Sequence, residues 1–149
     1  MRGLRRKFYG TLIVIAALPS LADATNGYFK SDGGCAVWRV IDGDTLSMRC
    51  PDGFVRLRLE QIDTPEMRAD CWGEAWRAIA AKQRLRWAFI TATQIDLPET
   101  GNTDRYGRRL GVAFVDGQTA AAQLIDASLA VPYVPGDITW CDRIERGMI

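Results

Sequence analysis

The sequence predicts an α+β chain, mainly β, in which a three-stranded meander opens a barrel and helices pack against it. Three observations predict this. Strand-like runs at 36–41, 45–50 and 54–62 are separated by the turn signals Asp42-Gly43 and Pro51-Asp52-Gly53. One long helical pattern follows, from Gly73 to Ile90, and a second covers Gln118 to Ala130. Four cysteines, Cys35, Cys50, Cys71 and Cys141, bracket the strands and the first helix.

The amino-terminal part of the 149 residues reads as a targeting segment. Arg2, Arg5, Arg6 and Lys7 precede the apolar run 11–18, Pro19 interrupts it, and Ala22-Asp23-Ala24 offers an A-x-A cleavage site. The apolar core is well short of the roughly 20 residues of a spanning helix, so a cleaved signal peptide is expected rather than an anchor. The expected organisation is a signal peptide at 1–24, a glycine-rich flexible leader at 25–34 and one domain at 35–149. It is expected to be secreted or periplasmic, monomeric, and without stable membrane association after cleavage. Cleavage takes four of the 19 basic residues and one of the 18 acidic ones, leaving a net charge of −2. A grip on a polyanion must therefore come from a local cluster.

An oxidising compartment makes two disulfides the natural reading of the cysteines. Cys35 and Cys50 are equidistant from Asp42-Gly43, read as a two-residue hairpin turn, and would face each other across it. Cys71 is left with Cys141. A four-thiolate zinc site lacks the C-x-x-C pair that would start it. The chain has no histidine, which removes histidine-based nucleases, serine-type triads and His-ligated metals together.

Asp44 follows the first turn within Asp42-Gly43-Asp44-Thr45, which alone is an ordinary turn signal. The third strand alternates Val55, Leu57 and Leu59 with Arg56, Arg58 and Glu60, so Arg58 projects away from the apolar face. Asp63-Thr64-Pro65 stops that strand, and Glu66 follows. Arg58, Asp63 and Glu66 thus gather at one strand end, suiting phosphodiester chemistry: a hard oxygen ligand, a base for water and a planar fork for phosphate oxygens. Asp44 and Asp63, on neighbouring strands, can converge on a divalent cation, with the Thr64 carbonyl as a third ligand.

In the first helix Ala75, Ala78, Ile79, Leu85 and Phe89 recur near helical spacing; Trp72, Trp76 and Trp87 read as packed and the basic residues as a solvated face. Thr91 to Leu97 reads as a fourth strand, 98–103 as a loop, and Leu110 to Val115 as a fifth strand. Asp104-Arg105-Tyr106-Gly107-Arg108-Arg109, at the junction into that strand, is a phosphate-binding candidate. Ala121, Leu124, Ile125 and Ser128 form one face of the second helix, and Tyr133 beyond it reads as packed.

Taken together, D-G-D-T at 42–45, R-L-x-x-I-D-T-P-E at 58–66, D-R-Y-G-R at 104–108 and a helix ending Leu129-Ala130 resemble the thermonuclease family in the right order. The likeness spans roughly residues 36–134. It implies a five-stranded OB-fold barrel with two packed helices, the third, C-terminal helix being absent or a stub. It also implies roles: Asp44, Asp63 and the Thr64 carbonyl for Ca²⁺; Glu66 as general base; Arg58 and Arg108 on the scissile phosphate; Arg105 and Tyr106 on a neighbouring one. The implied substrate is DNA, with RNA a second candidate, cleaved to 3′-phosphates with low sequence specificity. The competing reading is a non-catalytic OB-fold module that binds nucleic acid or an envelope partner.

Overall fold

The computed structural model describes residues 34–97 and 102–149; the expected signal peptide, the leader through residue 33 and most of the 98–103 loop lie outside them. The described chain is mixed α+β. Its strands are β1 (Ala36–Val40), β2 (Thr45–Cys50), β3 (Gly53–Leu59), β4 (Ile62–Asp63), β5 (Ile95–Asp96), β6 (Arg109–Gly111), β7 (Phe114–Val115), β8 (Gln118–Thr119) and β9 (Val131–Pro132). The helices are α1 (Trp72–Thr91), α2 (Ala120–Asp126) and α3 (Trp140–Glu145). No helix among the described residues is long and apolar enough to cross a membrane.

The meander forms. β1–β2 and β2–β3 pair antiparallel, and β6 adds to β3 in parallel, giving the order β1-β2-β3-β6. Two small sheets, β4-β9 and β5-β7-β8, complete the described strands, and these three sheets do not close into one ladder. The core lies between the inner face of the large sheet and α1: Val40, Leu46, Leu57 and Leu59 meet Ala81, Leu85 and Phe89.

Several boundaries differ from expectation for local reasons. The third strand divides because Gln61 takes a left-handed φ of 65°, after which Ile62–Asp63 leaves β2 and pairs with β9. α1 runs through Thr91, and the backbone N–H groups of Thr93 and Gln94 both donate to Asp116 Oδ1 (2.7 and 2.8 Å), so only Ile95–Asp96 is free to pair. Gln118–Thr119 first pairs with β7; Thr119 Oγ1 then accepts from Ala122 N (3.1 Å) and caps α2. Ser128, at φ 56°, ends that helical segment before Ala130.

Asp42-Gly43 is not a two-residue hairpin turn. The β1–β2 connection comprises residues 41–44, Ile41 N donates to Thr45 O (2.8 Å), and Asp42 Oδ1 accepts from Asp44 N (3.2 Å). Glycine is needed here for space rather than for φ. A Cβ on Gly43 would lie 3.0 Å from Ala81 Cβ on α1 and 3.0 Å from Thr64 Cβ.

The tryptophans of α1 correct another expectation. Trp72, Trp76 and Trp87 are 76, 58 and 61% exposed, while Ala81, Leu85 and Ala88 pack in the core with the sheet residues, where small side chains permit close approach. Ile79 is also exposed, and Arg86 is buried rather than on a solvated face. The C-terminal helix is a six-residue stub, α3, whose Trp140 is buried. Both disulfides form in the expected pairing, Cys35–Cys50 and Cys71–Cys141.

Candidate active site

Two turns and one strand end position the candidate residues. On β3, Leu57 and Leu59 are buried and Arg58 faces the other way, opposite Thr45 of β2. This places the Arg58 guanidinium against Asp44, the residue that leads into β2, and Arg58 Nη1 donates to Asp44 Oδ2. Asp44 is only 6% exposed, and its other oxygen accepts from Thr45 Oγ1 (2.7 Å). Burial raises the Asp44 pKa from 3.8 to about 6; Arg58 and the Thr45 hydroxyl oppose the rise and Asp42 adds to it.

Asp63 ends β4, and its Oδ2 accepts from Trp140 Nε1 at 2.8 Å. Desolvation raises its pKa, opposed by the Trp140 hydrogen bond and by Arg58 and Arg143. Thr64, next in the chain, is buried. Glu66 follows Pro65 on the turn before α1. The buried carboxylate of Glu74, in the first turn of α1, holds this turn by accepting from the N–H groups of Glu66 (3.2 Å) and Asp70 (3.1 Å). Partial desolvation raises the Glu66 pKa, Asp42, Asp63 and Glu74 add to the rise, and Arg58 opposes it.

The 104–108 turn supplies the second guanidinium. Asp104 Oδ1 accepts from the backbone of Tyr106 and Arg108 (both 2.9 Å), and its Oδ2 accepts from Arg108 Nε (2.7 Å). Gly107 makes the turn at φ 74°. Arg108 Nη1 then reaches Thr45 Oγ1 at 3.3 Å, which joins this loop to the Asp44–Arg58 pair. The Tyr106 ring lies under both Arg105 (4.9 Å from guanidinium carbon to centroid) and Arg108 (5.6 Å).

A groove of about 860 Å³ collects these groups: Arg58, Glu66, Arg105, Tyr106, Arg108 and Tyr133 are in its lining. Tyr133 is exposed at its edge rather than packed. Asp44, Asp63 and Thr64 are not in the lining, though Asp44 is bonded to Arg58, which is. The donor chemistry there suits a divalent cation. Asp44, Asp63 and Glu66 are hard oxygen donors whose ionised forms burial destabilises, with like charge adding from Asp42 at Asp44, from Asp137 at Asp63 and from Asp42, Asp63 and Glu74 at Glu66, and a cation reverses such penalties. Among the described residues the oxygens of Asp44, Asp63 and Glu66 do not all lie within 4.8 Å of one another; the donor atoms of Cys71, Glu74 and Cys141 do, but the two sulfurs are bonded to each other and offer no thiolate.

Four residues without an assigned role in the sequence reading shape the site: Thr45, Asp42, Glu74 and Trp140. Thr45 and Asp42 lie inside a motif already singled out. Trp140 has no local signal beyond its neighbour Cys141, whose bond to Cys71 brings the C-terminal segment to the strand end.

A scan against models of known protein families matches none. Curated relatives do match over most of the chain. Protein ParB of Escherichia coli is 30% identical over 95% of this chain and 75% of its own length. An uncharacterized endonuclease of Escherichia coli O157:H7 is 30% identical over 86% of this chain and 74% of its own. Micrococcal nuclease of Shigella flexneri is 28% identical over 93% and 70%. With motifs and relatives in agreement, the chain belongs to the thermonuclease-like family that includes micrococcal nuclease.

Proposed function

We propose that this chain is a metal-dependent nuclease that hydrolyses phosphodiester bonds of DNA, and of RNA as a second substrate, with low sequence specificity. The observation that supports it is one groove whose lining holds a carboxylate, Glu66, together with two guanidinium groups, Arg58 and Arg108. Micrococcal nuclease and the endonucleases among its relatives point the same way.

Glu66 accepts the proton of an attacking water, and partial burial, which raises its pKa above the ordinary carboxylate value, makes it a stronger base. Arg58 and Arg108 donate to the phosphate oxygens on which charge grows, from positions fixed in advance by Asp44, Asp104 and Thr45. Arg105 and Tyr106, exposed beside them, hold a neighbouring phosphate. Asp44, Asp63 and the Thr64 carbonyl would hold Ca²⁺, which supplies positive charge against the scissile phosphate. With attack opposite the 5′ oxygen, the product carries a 3′-phosphate.

The reading extends to the whole chain. The strands are those of an OB-fold barrel, cleavage after Ala24 releases a monomeric domain, and that domain works outside the cytoplasm, where its two disulfides persist. The test is hydrolysis of a quenched-fluorophore single-stranded DNA by oxidised protein, with calcium and then with a chelator. Calcium-dependent cleavage is expected. No cleavage with calcium, magnesium or manganese from a folded, oxidised sample would overturn it.

A further inference from the structure

We infer that the outer face of the β1-β2-β3 sheet is a second nucleic-acid contact, a track on which a single strand continues beyond the groove, bases stacked on Phe54 and Trp38 and phosphates on Arg39 and Arg56. The substrate class rests on the nuclease reading above; the surface itself rests on the following geometry.

The sheet has two unlike faces. Val40, Leu46 and Leu57 are register partners on the buried face. On the opposite face Arg39 pairs with Ser47 and Ser47 with Arg56, a row across three strands, and in the row beyond it Arg49 pairs with Phe54. Phe54, Arg56 and Arg58 are alternate residues of β3, so the chain steps from the groove outward at about 7 Å per side chain.

β1 is shaped to add a second ring. Val37 and Val40 are both buried although three residues apart, and the register shifts between Val37 and Arg39. This bulge turns Trp38 and Arg39 outward together. The Trp38 ring meets Phe54 edge-on, 5.7 Å between centroids at 70°, and Phe54 is 65% exposed. A strand would usually not leave two aromatic rings in water on a solvated face.

The surface is continuous with the groove. A hollow of about 500 Å³ is lined by Ser47, Phe54, Arg56, Gly107 and Arg109. It lies along the same 103–109 loop whose Arg105, Tyr106 and Arg108 line the groove. Arg39 and Arg56 form no ion pair with a described residue, so their charge is available to an anion. Exposed rings interleaved with guanidinium groups on an open sheet match a single strand, whose bases are free to stack; a duplex hides its ring faces.

The test is fluorescence anisotropy with a labelled single-stranded thymidylate oligonucleotide about 16 nucleotides long, in chelator to prevent turnover. Phe54→Ala with Arg56→Gln, both at exposed positions, is expected to weaken binding about tenfold and to lower the salt slope by about one. A control pair on α1, the exposed Trp76→Ala with the half-buried Arg84→Gln, is expected to leave both unchanged. Wild-type affinity and slope in the first variant, an equal loss in the control, or no binding by the wild type would each overturn the proposal. Binding that depends on Phe54 and Arg56 in a protein that cleaves nothing would overturn the nuclease reading and leave this one standing.

Discussion

Replacing Trp140 with phenylalanine keeps a ring in the core and deletes one donor. That donor is the indole N–H, 2.8 Å from Asp63 Oδ2, and Trp140 is 4% exposed, so no water takes its place without rearrangement. A hydrogen bond to a charged group is worth about 1.5–3 kcal/mol. Its loss leaves Asp63 less well oriented, and because this bond holds the Asp63 pKa down, also more readily protonated. Both effects act against metal binding, and a supporting hydrogen bond of this kind is worth about 10–100-fold in affinity. Trp140→Phe is therefore expected to raise the calcium concentration for half-maximal cleavage by that factor and to change saturated turnover less. Calorimetric titration with calcium gives the affinity directly, and urea unfolding separates it from any loss of core packing. Wild-type calcium affinity in a folded Trp140→Phe protein would refute the assignment of Asp63 as a ligand held by Trp140.

Two further substitutions test the packing behind the groove. Asp44 has a folded-state pKa near 6 against 3.8 in an unfolded chain, so in chelator it contributes stability below about pH 4 that is lost as the pH rises through about 6, about 3 kcal/mol in all. The stability of wild type minus that of Asp44→Asn, from urea unfolding across this window, should fall with rising pH; a difference that grows would show the Asp44 pKa to be depressed instead. Gly43→Ala would press a methyl group 3.0 Å from both Ala81 and Thr64, and is expected to cost about 1–3 kcal/mol and to weaken metal binding through Thr64. Unchanged thermal stability would mean that the 41–44 loop does not pack on α1 as described.

How much of this was legible in the sequence depends on the range of the interaction. Alternation in Val55 to Leu59 put Arg58 on the correct face, and Asp63-Thr64-Pro65 marked the strand end, because both are local effects of strand period and proline. The cysteine pairing followed from the hairpin and by elimination. Trp140 was not legible, since its partner Asp63 lies 77 residues away and the contact depends on a disulfide closing the C-terminus onto the site. The stub helix had a readable start in Thr139-x-x-Asp142, where Thr139 Oγ1 accepts from Asp142 N (3.1 Å) and donates to Asp142 Oδ2 (2.8 Å). α1 defeated the periodicity argument because it is apolar on two sides. Its alanine stripe and its tryptophan stripe both fit a 3.6-residue period, and only close packing against the sheet selects the smaller one.

The central claim, that Glu66 is the base in a groove that also binds the substrate, is tested most directly by Glu66→Gln. Its carboxylate is exposed at the groove, and glutamine preserves its size, so folding and the Arg58 and Arg108 contacts should survive. Single-turnover cleavage of single-stranded DNA, measured beside equilibrium binding of the same oligonucleotide, is expected to show a rate reduced at least about 10²-fold with binding retained. A Glu66→Gln protein that cleaves at the wild-type rate would contradict the account.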